Sequence, residues 1–287
     1  MHLTKRGHSS SSVQNRIATP GGSARCRPTE KAACLNVQRI QKSGGRCVIS
    51  HQPREAIILA GGLGTRLRPV VRDRPKPMAP VSGRPFLEHL MDYWAKQGIS
   101  RFVLSVGYLS ESIRSHFGHC YRGCSIEYVE EAIPLGTGGG FRQALQNTLW
   151  AQQYVMLVNC DTWFEVDLAQ LTLDADQSRL PVTIALKPLR SNDRYSAVLI
   201  DENNRVVEFG IKTSGSCLIN GGCYLIDVRA VAEILCEYPE KFSLEGDLFA
   251  QMASNGRVGA SIQDFTFLDI GIPADYHRSA NVIGLKK

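Results

Sequence analysis

The chain has 287 residues, 43% of them hydrophobic and 21% charged, ordinary for a globular protein with one large domain or two small ones. Its net charge of +6 is uneven: residues 1–53 carry nine Lys/Arg and one acid, Glu30, which leaves 24 bases and 26 acids for 54–287. That nearly neutral body excludes a charge-driven nucleic-acid surface, and no apolar run approaches the length of a membrane span.

Residues 1–53 are rich in Ser, Arg and Gly, include Ser9-Ser10-Ser11-Ser12 and Gly21-Gly22, and lack hydrophobic periodicity. Such a segment reads as disordered. Its acid-poor, Ser/Arg-rich composition also fits an organelle transit peptide, and a start codon truly lying near residue 48 to 54 is a third reading. The body after Arg54 looks complete by itself, which favours disorder or a start-site artefact. The segment has no apolar core of the secretory kind. The chain therefore divides into an extension, 1–53, and one folded domain, 54–287.

From residue 55 onward strands alternate with helices. Strand-like runs fall at 55–60, 102–107, 125–130, 154–159 and 182–187. Between them Phe86, Leu87, Leu90, Met91 and Trp94 recur at helical spacing, as do Ile113 and Phe117, then Phe141, Leu145 and Leu149. This alternation predicts an α/β, Rossmann-like fold: a mostly parallel sheet with helices on both faces. Beyond about residue 182 the pattern shifts. Runs at 195–200 and 205–209 flank Asp201-Glu202-Asn203-Asn204, a hairpin turn, and 222–226 reads as another strand, so a small β-rich portion follows. The nine cysteines contain no Cys-x-x-Cys pair. They are expected to be scattered thiols in a reducing, cytoplasmic setting, with a zinc site as the weaker alternative.

The strand Ala56-Ile57-Ile58-Leu59 runs into Ala60-Gly61-Gly62-Leu63-Gly64-Thr65-Arg66-Leu67-Arg68-Pro69, and Lys76-Pro77-Met78 follows. Glycines let a backbone turn tightly and bring its N–H groups against a ligand. A nest of such donors suits phosphate oxygens, and Arg66 and Lys76 add two cations that can reach the same anion. The spacing is neither that of a Walker loop nor of G-x-G-x-x-G. Further on, Leu135-Gly136-Thr137-Gly138-Gly139-Gly140 precedes a helix pattern. The apolar strand Leu157-Val158-Asn159-Cys160-Asp161 ends in an acid, where ligands of parallel sheets sit. A second acid stands in Phe267-Leu268-Asp269-Ile270-Gly271-Ile272-Pro273. Each Asp could equally cap the turn or helix that follows it.

The glycine segment resembles the signature of the sugar-phosphate nucleotidyltransferases, L-A-G-G-x-G-T-R-L-x-P with K-P about eight residues on, and every fixed position is met. The resemblance extends over about residues 55–283 and implies a GT-A-like nucleotidyltransferase fold. It implies a nucleotide site formed by Leu59, Ala60, Gly61, Gly62, Gly64, Thr65, Arg66, Gly107, Leu135, Gly136, Thr137 and Gly138. Arg66 and Lys76 are the implied catalytic cations, and Asp161 and Asp269 the implied Mg²⁺ ligands. Cys160 stands where the family has Gly before the first Asp. Sugar 1-phosphate contacts are implied at Tyr195, Lys212, Asn220 and Gly221. Here too the chain departs from the family: Ile211 replaces the Glu that precedes the lysine, and Ser196 the Gly that follows the tyrosine.

Several segments resemble in particular the D-glycero-D-manno-heptose 1-phosphate guanylyltransferase subgroup. They are Val70-Val71, Lys76-Pro77-Met78-Ala79-Pro80, Gly83-Arg84-Pro85-Phe86-Leu87-Glu88, Leu104-Ser105-Val106-Gly107-Tyr108, Ala185-Leu186-Lys187-Pro188, and the run from Asp269 to Tyr276. This implies transfer of a nucleoside monophosphate from GTP to a heptose 1-phosphate, giving pyrophosphate and a nucleotide sugar for bacterial surface glycans. The expected partners are these two substrates, with no nucleic acid or membrane; a homo-oligomer is compatible. Two alternatives stay open: a uridylyl- or thymidylyltransferase acting on a hexose 1-phosphate, and a non-catalytic NDP-sugar-binding regulator.

Overall fold

The computed structural model describes residues 52–62, 64, 67, 71, 74–192 and 194–283. The 1–53 extension, up to His51, lies outside the described residues, as do Thr65, Arg66, Val70 and Asp193. Gln52 already touches the body: its Nε2 donates to the Gln97 carbonyl, and its own carbonyl accepts from Gln152.

Strand β1 (Glu55–Ala60) is aliphatic and buried along nearly its whole length, as befits a strand covered on both faces. A 3-10 turn at Lys76–Met78 and the ribbon β2 (Pro80–Val81) and β3 (Arg84–Pro85) lead into α1 (Phe86–Lys96). Phe86, Leu87, Leu90, Met91 and Trp94 share one buried face of α1, the amphipathic arrangement their spacing predicts. Then come β4 (Arg101–Val106), α2 (Ser110–Phe117), β5 (Cys120–Tyr121), β6 (Cys124–Glu130), α3 (Gly136–Gln146), β7 (Tyr154–Asn159) and β8 (Thr162–Phe164). α4 (Leu168–Ser178) and α5 (Val228–Leu235) begin alike. Asp167 and Asp227 accept from the amides two and three residues on, a cap that satisfies otherwise unpaired helix donors. Between these helices lie β9 (Val182–Leu189), β10 (Ala197–Ile200), β11 (Val206–Ile211) and β12 (Cys217–Asp227). A π-helical turn at Leu244–Phe249, α6 (Ala250–Ser254), β13 (Val258–Ile262), β14 (Phe267–Asp269) and α7 (Pro273–Ile283) complete the described chain.

Among the described residues the main sheet runs β11-β10-β12-β7-β1-β4-β6-β5, with β9 also on β12 and β13 on β9. Its centre, β7-β1-β4-β6, is parallel, as the alternation predicts. The β-rich portion continues the same sheet in antiparallel fashion through β12. Residues of β1 alternate between two cores: Ala56 and Ile58 pack with Trp94 and Phe102, and Ile57 packs with Val103, Phe141 and Tyr224. Burying each isoleucine contributes about 1.5–3 kcal/mol. Because the four central strands are parallel and in register, their carboxyl ends emerge together. Ala60 pairs with Val106, Val106 with Glu130, and Leu59 with Asn159.

Three local expectations shift. α3 ends at Gln146, so Leu149 lies beyond it and is exposed. Trp150 fills the core instead, its indole N–H donating to the Leu145 carbonyl at 2.9 Å. The glycine segment predicted to precede that helix forms its first turn. The strand predicted at 222–226 is the inner half of an 11-residue strand, interrupted by a bulge between Asn220 and Tyr224 that breaks the periodicity.

Candidate active site

A cleft of about 340 Å³ opens at the carboxyl ends of β1, β6 and β7, lined by Gly61, Gly62, Glu131, Thr137 and Asp161 among others. That volume falls in the range of small-molecule sites. Gly64 adopts φ +58°, a left-handed conformation that favours glycine. Gly61 instead leaves room for a neighbouring side chain. A Cβ there would stand 2.1 Å from Glu131 Oε1, far inside contact distance. Gly107, at the end of β4, abuts the Gly61 carbonyl, from which a Cβ would lie 3.1 Å away. Leu59 lines the cleft, whereas Ala60 is buried in the strand.

Glu131 is a cleft residue that no motif in the sequence announced. It follows β6 directly; its Oε1 accepts from Ser105 Oγ at 3.0 Å and its Oε2 from the Leu135 amide at 3.2 Å. The available signal was an acid just past a strand end, four residues before the Leu-Gly-Thr-Gly run. In that run, Gly136 and Thr137 face the cleft. Leu135 and Gly138 are buried and dock on the segment before the π-helical turn: the Gly138 amide donates to the Phe242 carbonyl at 3.0 Å, and the Phe242 amide to the Leu135 carbonyl at 3.2 Å. A Cβ at Gly138 would stand 2.3 Å from the Phe242 ring, and one at Gly136 2.6 Å from its carbonyl oxygen.

Lys76 Nζ donates to Asp161 Oδ2 at 2.5 Å, with Lys76 largely buried and Asp161 31% exposed. The Ile270 amide donates to the Asp161 carbonyl at 2.9 Å, and Asp269 pairs with Thr162 across β14 and β8. These contacts set the two aspartates on neighbouring strand ends. Asp269 Oδ1 accepts the Gly271 amide at 2.7 Å. A Cβ at Gly271 would collide with both Lys76 Nζ and Asp269 Oδ1, so the cation and both carboxylates crowd one spot. Burial, with Asp161 beside it, pushes the Cys160 thiol well above its ordinary value, so it stays neutral and unreactive. Among the described residues no group of three His, Cys, Asp or Glu is placed to hold a metal, and no helix is long and apolar enough to cross a membrane.

The residues expected to hold the sugar phosphate are less closely gathered. Asn220 stands in the β12 bulge, its Oδ1 taking the Gly222 amide and its Nδ2 donating to Tyr224 Oη, each at 2.9 Å. Gly221 backs onto the Phe164 ring, where a Cβ would lie 2.2 Å away. Tyr195 stacks edge-on against Phe267, beside Asp269. Its loop is organised by buried Asn192, whose Oδ1 accepts from the Arg194 and Tyr195 amides at 3.2 and 2.8 Å. Lys212 follows β11, is exposed, and does not line the cleft. Arg66 and Thr65 lie outside the described residues.

Residues 55–284 match the nucleotidyl transferase family. The chain belongs to that family. It is 42% identical over 229 residues, 78% of this chain and 96% of the relative, to D-glycero-alpha-D-manno-heptose 1-phosphate guanylyltransferase of Aneurinibacillus thermoaerophilus. It is 38% identical over 224 residues, 78% of this chain and 97% of the relative, to the enzyme of the same name from Campylobacter jejuni. The crystal structure of HddC from Yersinia pseudotuberculosis complexed with GMP-PN superposes with a TM-score of 0.70 at 32% identity, covering 80% of this chain and 99% of that one.

Proposed function

We propose that this protein transfers GMP from GTP to D-glycero-D-manno-heptose 1-phosphate, releasing pyrophosphate and forming the GDP-sugar. The observation that carries this reading is the convergence of Lys76, Asp161 and Asp269 at the mouth of a glycine-walled cleft. The identities with two heptose 1-phosphate guanylyltransferases support the choice of substrates.

An oxygen of the sugar phosphate attacks the α-phosphorus of GTP in line. The new O–P bond forms as the bond to the β-phosphate oxygen breaks, and the electron pair leaves with pyrophosphate. A sugar phosphate is already ionised at neutral pH, so no general base is needed. The protein's task is positioning and charge stabilisation. Lys76 faces the α-phosphate and offsets the charge that grows there; Arg66 serves the leaving β- and γ-phosphates. The amides of the glycine loop cradle the triphosphate. Glu131, an acceptor-only group fixed by Ser105 and Leu135, suits the paired N–H donors of a guanine edge. Uracil and thymine present no such pair, and unmatched buried polar groups give strong discrimination. Asn220, Gly221 and Tyr195 take the sugar phosphate, and Lys212, exposed outside the cleft, would reach in to join them; Ile211 lacks the oxygen with which a Glu would take sugar hydroxyls.

Two adjacent carboxylates fit Mg²⁺, a hard cation that takes one or two carboxylates and completes its shell with phosphate oxygens and water. Asp161 and Asp269 would hold it, and when bound it supplies charge neutralisation across the phosphates.

The test is to incubate the protein with GTP and the heptose 1-phosphate and follow pyrophosphate together with product mass. Stoichiometric pyrophosphate and GDP-heptose are expected. No pyrophosphate with any of the four NTPs and a panel of sugar 1-phosphates would contradict the reading and favour a non-catalytic binder.

A further inference from the structure

The π-helical turn at Leu244–Phe249 carries two acids, Glu245 and Asp247, and hydrogen bonds from both sides of the cleft converge on the first of them. From the nucleotide side, the Leu244 amide donates to Thr137 Oγ1 at 2.9 Å, and the Thr137 hydroxyl donates to Glu245 Oε2 at 3.2 Å. From the sugar side, Asn220 Nδ2 donates to Tyr224 Oη at 2.9 Å, and that hydroxyl donates to Glu245 Oε1 at 2.9 Å. Asn159 Nδ2, one residue before Cys160, lies 3.5 Å from the same Oε1. Every donor in both limbs points toward the carboxylate, which as an ionised group only accepts. Tyr224 is fully buried, so its hydroxyl depends on these partners. The turn opens on a Ser243 cap, with Ser243 Oγ accepting the Gly246 amide at 3.0 Å, and π turns often mark functional positions.

We propose that Glu245 is a positioning residue that ties the nucleotide-binding turn at Thr137 to the sugar-binding bulge at Asn220, so that the two substrates are held in mutual register. This rests on the reading of the cleft as a joint GTP and sugar 1-phosphate site. A single carboxylate orients Thr137 and Asn220, groups 83 residues apart in sequence, by fixing which way each limb's hydroxyl points. Alignment of reacting groups is where such transfer enzymes gain most of their rate. A Gln at 245 keeps one acceptor but presents N–H to the other limb, which then cannot keep its polarity.

The experiment is a set of variants in the full chain, measured by initial rates with each substrate varied and by melting. Wild-type turnover comes first: its absence would count against the reading of the cleft, not against the role of Glu245. Thr137→Val is expected to raise KM for the NTP and Tyr224→Phe that for the sugar phosphate, while Glu245→Ala raises both. Each rise should be about tenfold, the size of a lost hydrogen bond to a charged group. In the Glu245→Ala background, adding Thr137→Val or Tyr224→Phe should change little more, because the limb is already broken. Full additivity of the single effects would overturn the proposal, as would a lowered melting temperature with both KM values unchanged. Should the Ala variant fail to fold, Glu245→Gln carries the same test, with at least one KM expected to rise and to become insensitive to further change in its limb.

Discussion

The Lys76 ammonium lies 2.5 Å from Asp161 Oδ2, just past the end of β7 and in the wall of the cleft. The pair joins a residue of the loop's exit to one of the strand's end, 85 positions apart. It neutralises an acid that would otherwise oppose an approaching triphosphate. When substrate phosphates enter, the same ammonium can turn to them. Lys76→Gln shortens the side chain by one atom, keeps a polar tip and removes the charge. We expect kcat to fall about 10²–10³-fold, as for loss of one transition-state donor. The fold should survive, since Asp161 is partly solvated. A kcat within threefold of wild type would remove Lys76 from the chemistry.

The two aspartates give a metal prediction. Asp161→Asn and Asp269→Asn preserve shape and remove one charge each. In each variant the Mg²⁺ concentration for half-maximal turnover should rise at least about tenfold, the minimum seen when even an outer partner of a metal site is lost. Removing divalent cations with a chelator should stop wild-type turnover, and Mg²⁺ should restore it. Magnesium titrations that coincide for wild type and either variant would show that carboxylate not to be a ligand.

Gly61 and Glu131 are matched by shape. With a Cβ only 2.1 Å from Glu131 Oε1, Gly61→Ala must displace the carboxylate or the loop. Overpacking of this kind costs about 1–3 kcal/mol, and the KM for GTP should rise with it. Combining Gly61→Ala with Glu131→Ala removes the clash. The melting temperature should then recover toward that of Glu131→Ala alone while GTP binding stays weak. No recovery would mean that the strain lies elsewhere.

A network joining β3 and α1 to α2 predicts pH dependence. Arg84 donates to Glu88 and Asp92, each at 2.6 Å, and His116 meets the other oxygen of Glu88 at 2.7 Å. Burial alone would push the Glu88 carboxyl up, but the hydrogen bonds from His116 and Arg84 outweigh it and hold the group below its ordinary value. The unfolded chain therefore binds the proton more readily. The stabilisation is complete above the unfolded carboxylate pKa of about 4.3 and is lost as pH falls through the lower folded value. Glu88→Gln should melt below wild type at neutral pH, and the gap should close in acid. A gap independent of pH would place the effect in packing.

Much of this architecture is legible in the residues because local signals agree with the fold. Aliphatic runs such as Ala56–Leu59 and the spacing of Phe86, Leu90 and Trp94 admit few structures. Parallel strands then require the glycine loop and Asp161 to emerge at the same end. Glu131, Asn192 and Glu245 were not legible. Each gains its role from partners distant in sequence: Glu131 from Ser105 and Gly61, Asn192 in part from Thr213, Glu245 from Thr137 and Tyr224. An isolated acid or amide reads as surface until the fold supplies those partners. The glycines at 136 and 138 stand out in the sequence, but the neighbour packed against them is Phe242, which no spacing there announces. The bulge at Asn220–Tyr224 likewise hides an 11-residue strand behind a broken alternation.

Guanylyl transfer is tested most directly by turnover of heptose 1-phosphate with GTP, UTP, dTTP and CTP side by side, compared as kcat/KM. GTP is expected to lead the others by at least about 10²-fold if the Glu131 carboxylate meets the base edge as proposed, and Glu131→Gln should narrow the gap. Equal or better use of UTP or dTTP would contradict guanylyl transfer.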